Sequence, residues 1–129
     1  MSKKVASPQP SRFCWNELVT PSVPAAKQFY AGLFGWKTRP FGKDAVGYTL
    51  FKTGKDPRAA GGVMKCPKPG KTAQWIPYVF VGNVDSTLKK AIKLGGKIAA
   101  PPFVVPTVGR IAVLVDPQGA TIGVLKPEM

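Results

Sequence analysis

The chain has 129 residues, of which 44% are hydrophobic, so it suits one compact domain and is too apolar for a disordered chain. It has 19 lysine and arginine residues and 6 acidic residues, which gives a formal net charge of +13, and it contains no histidine. The commonest general base and metal ligand of proteins is therefore excluded. No apolar run reaches the roughly 18 residues of a membrane-spanning helix. With only two cysteines, Cys14 and Cys66, we expect reduced thiols, a cytoplasmic location and no membrane partner.

The N-terminal half of the chain predicts one strand, one helix and three further strands. Residues 1–12 are polar and are expected to form a flexible tail. Residues Phe13–Thr20 are rich in β-forming side chains, and a helix should begin at Val23, with Ser22 as its N-cap and Gly35 as its left-handed end. We expect the aromatic residues of this helix to lie in the core: Phe29, Tyr30 and Phe34. The further strands are predicted at Trp36–Pro40, Gly47–Lys52 and Ala60–Met64.

The same order of elements recurs at a constant offset of 61 residues, which pairs Val23 with Val84 and Gly35 with Gly96. Asn83 takes the N-cap position that Ser22 holds in the first copy. The strands of the second copy are predicted at Gln74–Val81, Lys97–Pro101, Arg110–Val115 and Thr121–Leu125. The order β-α-β-β-β is therefore written twice. The predicted organisation is module one at 13–65, a linker at 66–72 and module two at 73–127.

Four segments carry a resemblance to a known superfamily: WNELVTPSVPAAKQFYAGLFGW, AAGGVMKCP, YVFVGNVDSTLKKAIKLGG and VGRIAVLVDPQGATIGVLKP. Over roughly residues 13–127 the chain resembles the glyoxalase, bleomycin-resistance and extradiol-dioxygenase superfamily, also called vicinal oxygen chelate (VOC) proteins, and within it the lactoylglutathione-lyase-related members. The resemblance implies an α+β fold in which two tandem βαβββ modules form a curved mixed sheet around a cleft, with the helices outside. It also implies a homodimer.

In the metal-using members that the chain resembles, each module supplies one metal ligand from its first strand and one from its last. Carried onto this sequence, the first-strand positions are Trp15 and Ile76, and the last-strand positions are Gly62 and Gly123. None of these residues offers a nitrogen, carboxylate or thiolate ligand. We therefore predict a site without a metal and a protein without a cofactor.

Alternation along the two first strands predicts an aromatic pocket with one carboxylate and one phenol. One face should hold Trp15, Glu17 and Val19, and the matching face of the second copy should hold Ile76, Tyr78 and Phe80. Glu17 is the candidate acid–base group, with Tyr78 as its hydrogen-bond partner or as a second donor. The alternative is that Glu17 only pairs with a lysine or arginine of a neighbouring strand. The predicted ligand-binding residues are Trp15, Glu17, Ile76, Tyr78, Phe80, Gly62, Gly123 and Arg110.

Arg110 and the segment before it suggest further contacts. Arg110 could clamp an anionic group with two hydrogen bonds, or it could hold the turn at Asp116 and Pro117. The segment Pro102–Gly109 is expected to be an apolar loop, as a lid over a pocket would be.

The basic residues are spread along the chain, and the best candidate patch comprises Lys65, Lys68, Lys71, Lys89, Lys90 and Lys93. We expect only weak, nonspecific binding of nucleic acid, together with electrostatic steering of anionic metabolites. The predicted function is binding of a small anionic or aromatic metabolite in a metal-free cleft; if the protein is an enzyme, it is a metal-independent lyase or isomerase with a carboxylate acid–base. The alternatives are a metal-dependent lyase or dioxygenase with atypical ligands, and a basic nucleic-acid-associated protein.

Overall fold

The computed structural model describes residues 10–40, 48–56, 59–66, 72–105 and 108–127. Several sequence predictions lie partly outside these ranges. They are residues 1–9 of the expected tail, the start of the third predicted strand at Gly47, linker residues 67–71 with Lys68 and Lys71, and part of the expected loop at 106–107.

These described residues form two helices and eight strands in the predicted order, β-α-β-β-β twice. The first set is β1 Phe13–Thr20, α1 Val23–Phe34, β2 Lys37–Pro40, β3 Thr49–Lys52 and β4 Ala59–Lys65. The second set is β5 Gln74–Phe80, α2 Val84–Lys93, β6 Lys97–Val105, β7 Gly109–Val115 and β8 Thr121–Pro127. Parallel and antiparallel pairs both occur, so the predicted α+β class with mixed strand pairing is confirmed. Neither helix is long and apolar enough to cross a membrane.

Both helices begin at the predicted capping residues. The Ser22 hydroxyl accepts a hydrogen bond from the Ala25 N–H at 3.2 Å, and the Asn83 side chain accepts one from the Ser86 N–H at 2.8 Å. Helix α1 ends at Gly35, whose φ of 74° is the left-handed conformation that glycine adopts without strain. After α2 the left-handed residue is Gly95, at φ 97°, one residue earlier than the repeat predicts.

Residues 16–76 form one compact unit, called the first unit below. Its strands lie in the order β2, β3, β4, β1, with β1 parallel to β4 and the other pairs antiparallel. Its core residues are Leu18, Phe51 and Val63, packed against half-buried Val23, Ala26, Tyr30, Trp36 and Ala60. Since Val23, Ala26 and Tyr30 belong to α1, the helix covers the face of the sheet to which Leu18 points.

Residues 10–15 and 77–127 form the second unit. Its strands lie in the order β6, β7, β8, β5, again with one parallel pair, β5 and β8. Its core residues are Val81, Val84, Leu88, Ala112, Leu114 and Val124. The Ser11 N–H donates to the Phe80 carbonyl at 2.6 Å, and the Phe80 N–H donates to the Arg12 carbonyl at 2.8 Å. Ser11 and Arg12, which were expected to belong to the flexible tail, therefore pair with β5 in the structure.

Strand β6 differs most from its prediction, because it continues to Val105 instead of ending at Pro101. Its pairing with β7 shifts register between Ile98 and Ala100 and again between Ala100 and Phe103. Prolines at 101 and 102 lack an N–H donor, and a strand tolerates them at such irregular positions or at a sheet edge. The expectation of an apolar loop from Pro102 is therefore wrong for the residues up to Val105.

Candidate functional site

The candidate site is centred on Glu17, a carboxylate buried to 5% exposure in β1. Its neighbour Leu18 points into the core under α1, so the alternation of a strand directs Glu17 to the opposite face of the sheet. Oε1 of Glu17 accepts a hydrogen bond from the Tyr48 hydroxyl at 2.9 Å. Within the described ranges no buried side-chain nitrogen or oxygen lacks a hydrogen-bond partner. The site therefore contains a buried and satisfied carboxylate–phenol pair.

Gly62 completes this arrangement. It lies directly beside Glu17 in the parallel β1–β4 pair. A Cβ atom built at position 62 would overlap Oη, Cε1 and Cζ of Tyr48. The Tyr48 ring thus occupies the space that any side chain at position 62 would need.

The second unit repeats part of this arrangement with different residues. Tyr78, which is 2% exposed, lies beside Gly123 in the parallel β5–β8 pair. A Cβ at position 123 would overlap Cγ, Cδ2 and Cε2 of the Tyr78 ring. In both units a tyrosine ring covers the last-strand glycine, but in the second unit the ring belongs to the residue paired with that glycine.

Tyr48 belongs to the candidate site although the sequence did not predict it. The phenol bonded to Oε1 of Glu17 was expected to be Tyr78, and the structure shows Tyr48 in that role. Tyr48 precedes β3, and it reaches Glu17 because of the order in which β3, β4 and β1 pair. Strand order cannot be read from local sequence, so no pattern around Tyr48 marked it. A contact of Tyr78 with Glu17 stays a prediction.

The eight ligand-binding residues predicted from the sequence are distributed over the two units. Glu17, Gly62 and Ile76 belong to the first unit, and Ile76 is buried at 5% exposure. The second unit holds Trp15, Tyr78, Phe80, Gly123 and Arg110. The structure brings Glu17 together with Gly62, and Tyr78 together with Gly123. One pocket formed by all eight residues stays a prediction.

The aromatic residues of α1 behave in two ways. Tyr30 packs in the first unit with its ring centroid 5.9 Å from that of Trp36 and 5.4 Å from that of Trp75, and its hydroxyl oxygen accepts a hydrogen bond from the Trp75 indole at 3.1 Å. Phe29 and Phe34 are 60% and 57% exposed. The expectation that all three belong to the core is therefore correct only for Tyr30.

Arg110 forms an ion pair that neither sequence interpretation anticipated. Its Nε and Nη2 donate to the two carboxylate oxygens of Asp85 at 3.1 and 2.8 Å. The turn at Asp116 is held by its own carboxylate, which accepts from the backbone N–H groups of Gln118 and Ala120 at 2.8 and 3.0 Å. Asp85 therefore takes two of the five N–H donors of the Arg110 guanidinium, and Arg110 does not hold the turn. Anion binding at Arg110 stays a prediction.

These two aspartates should make stability depend on pH in the acidic range. Hydrogen bonds from Arg110 hold the pKa of Asp85 below its ordinary value of 3.8, and backbone N–H groups of Ala120 and Gln118 do the same for the pKa of Asp116. A folded pKa below the unfolded one means that the stabilisation is complete above the ordinary value and is lost as the pH falls through the lowered pKa. We expect thermal melts of Asp116→Asn to lose less stability than wild type below about pH 4. A variant as acid-sensitive as wild type would contradict this.

Other groups offer little chemistry. Burial raises the pKa of the Cys14 thiol, which disfavours the nucleophilic thiolate. Lys89, Lys90 and Lys93 are exposed on α2, and Lys65 is exposed at the end of β4. The other two lysines of the predicted patch lie outside the described residues.

The residues present do not fit a metal centre of the kind the resemblance implies. The four expected ligand positions hold Trp15, Ile76, Gly62 and Gly123, and tyrosine rings fill the space beside both glycines. In the part of the chain that the structure describes, no three histidine, cysteine, aspartate or glutamate side chains come together. The metal independence of this site stays a prediction.

Sequence comparison identifies relatives of two kinds. The protein named as the glyoxylase CFP32 in Mycobacterium tuberculosis is 42% identical over 115 residues, which cover 88% of this chain and 43% of that protein. The anthracycline biosynthesis protein DnrV of Streptomyces peucetius is 32% identical over 128 residues, covering 89% of this chain and 46% of that protein. The chain thus spans slightly less than half the length of these relatives. No family model matches it.

Solved structures share the fold at low sequence identity. Methylmalonyl-CoA epimerase from Mycobacterium tuberculosis has a TM-score of 0.61 at 14% identity and covers 98% of this chain and 95% of that one. An extradiol ring-cleaving dioxygenase from B. fuscum has a TM-score of 0.63 at 18% identity, over 99% of this chain and 36% of that one. At such identities the likeness shows the fold, and the function must be argued from the site.

Proposed function

The chain belongs to the vicinal oxygen chelate superfamily, and from this premise we propose that it binds a small aromatic or anionic metabolite at Glu17 without a bound metal. The observation that carries the proposal is the buried Glu17 carboxylate hydrogen-bonded to Tyr48 on the face of the sheet away from α1. Burying a carboxylate is costly, and ligand sites are apolar places with a few well-placed polar groups. If the protein is an enzyme, Glu17 is the acid–base group of a metal-independent lyase or isomerase.

The relatives and the charge support the ligand class. One relative is named for anthracycline biosynthesis, and anthracyclines are aromatic compounds, which supports an aromatic ligand. A net charge of +13 favours the approach of anionic molecules over cations. The name of the other relative supports glyoxalase-type chemistry. Because the chain spans less than half of either relative, their activities enter only as support for this proposal.

Native mass spectrometry of untagged protein, purified without chelator, tests the proposal. We expect a small organic adduct that is lost in Glu17→Gln, because the isosteric amide cannot accept the same hydrogen bonds or carry the charge. Asp116→Asn is the matched control, since it makes the same chemical change at an exposed turn and should retain the adduct. One divalent metal per subunit would support the metal-dependent alternative instead. The same spectrum tests the homodimer that we propose from the family.

A further inference from the structure

We infer that Tyr48 positions the Glu17 carboxylate for ligand binding, and that position 62 must be glycine to leave room for the Tyr48 ring. The Glu17–Tyr48 pair then accepts a hydrogen bond from a donor group of the ligand. This inference rests on the proposed binding function of Glu17. Tyr48 was not among the residues predicted from the sequence, and Gly62 was predicted as a ligand-binding position with no role for its missing side chain.

The strand order of the first unit explains why the ring must cross position 62. Gly62 of β4 pairs with Leu50 of β3 on one side and with Glu17 of β1 on the other. Neighbouring strands lie about 4.8 Å apart, so β3 and β1 are separated by about 10 Å. A tyrosine beside β3 can reach across that distance only by lying over β4. The built Cβ of Gly62 overlaps the Tyr48 hydroxyl end, so any side chain there would lift the ring away from Glu17.

The second unit provides an internal comparison. Tyr78 covers Gly123 from the directly paired position, one strand away. Covering a last-strand glycine therefore needs only a tyrosine on the neighbouring strand. Tyr48 reaches farther, across β4, and its hydroxyl donates a hydrogen bond to the buried Glu17 carboxylate. This favours a positioning role for Tyr48 over simple packing.

The chemistry of the pair defines the part of the ligand that it receives. Tyr48 has one hydroxyl proton, which it donates to Oε1 of Glu17, so its oxygen can offer a ligand only acceptor capacity. An ionised carboxylate also has only acceptors. The pair therefore favours a ligand hydroxyl or N–H group and disfavours a ligand carboxylate at this point. An aromatic alcohol satisfies both this requirement and the proposed ligand class.

The test compares 1-naphthol with 1-methoxynaphthalene, which has the same ring system without the donor, by titration followed in amide NMR spectra. We expect wild type to bind 1-naphthol about tenfold more tightly, as one hydrogen bond to a charged group provides. Tyr48→Phe and Gly62→Ala should remove that preference, so that each variant binds 1-naphthol and 1-methoxynaphthalene with equal affinity. Gly82→Ala is the control for Gly62→Ala, because a Cβ at position 82 has no atom within 4 Å.

A second measurement needs no ligand. A hydrogen-bonded Tyr48 hydroxyl proton should exchange slowly with water and give a proton resonance that is absent in Tyr48→Phe and shifted in Gly62→Ala. If the role of Tyr48 is purely structural, Tyr48→Phe and Gly62→Ala should weaken the binding of both naphthalene compounds equally, or of neither. That result would overturn the inference. Loss of the adduct in Glu17→Gln with full donor preference in Tyr48→Phe would overturn it while sparing the proposed function. Failure of wild type to prefer 1-naphthol would overturn the assigned ligand chemistry.

Discussion

Replacing Phe51 with alanine should lower the free energy of unfolding by about 3–5 kcal/mol, as truncation of a fully buried phenylalanine does. Phe51 has no exposed surface, and its ring centroid lies 5.8 Å from that of Tyr30, 5.0 Å from that of Trp36 and 6.3 Å from that of Trp75. The substitution removes the residue at which β3, α1 and the start of β5 meet in the first unit. Urea unfolding followed by tryptophan fluorescence measures the effect.

Leu33→Ala is the matched control for Phe51→Ala. Leu33 lies on α1 and is 58% exposed, and alanine is a good helix former, so its stability should stay within about 0.5 kcal/mol of wild type. Equal losses for the two variants would mean that the first unit does not rely on the aromatic core around Phe51.

Valine at position 123 should destabilise the protein by about 3 kcal/mol, the upper part of the range for overpacked cores. The new side chain would occupy the position of the Tyr78 ring, which is 2% exposed. The free energy of unfolding of Gly123→Val, compared with that of Gly82→Ala, measures the effect.

A double-mutant cycle shows whether the Tyr78 ring is the cause of that loss. In a Tyr78→Ala background, Gly123→Val should cost much less than in wild type, because the space of the ring is then empty. If the two losses simply add, the contact between Tyr78 and position 123 does not explain the glycine.

The two tyrosine rings explain why positions 62 and 123, in the last strand of each set, are glycines. From the sequence, Gly62 and Gly123 were predicted as ligand-binding positions at which the expected metal ligands are missing. In the structure each is a position that a side chain cannot share with a tyrosine ring. At Gly62 the missing side chain also leaves room for the Tyr48 ring, whose hydroxyl donates a hydrogen bond to Glu17.

The sequence by itself determined the order of the elements and the N-caps of both helices, because these depend on local signals. Ser22 and Asn83 cap through atoms three residues away, and strand alternation placed Glu17 on the face opposite Leu18. Only the tertiary structure decided the partners of the polar groups. Glu17 meets Tyr48 across 31 residues and Arg110 meets Asp85 across 25, and such pairs depend on which strands and helices become neighbours.

The same distinction explains β6 and the helix aromatics. Two consecutive prolines end a strand in most local contexts, yet pairing with β7 continues past them through shifted register. The burial of Tyr30 and the exposure of Phe29 follow from how α1 rests on its sheet. Helical spacing predicts an apolar face of a helix, but packing against the sheet decides which residues of that face are buried. Burial depends on the neighbouring elements and not on the residue alone.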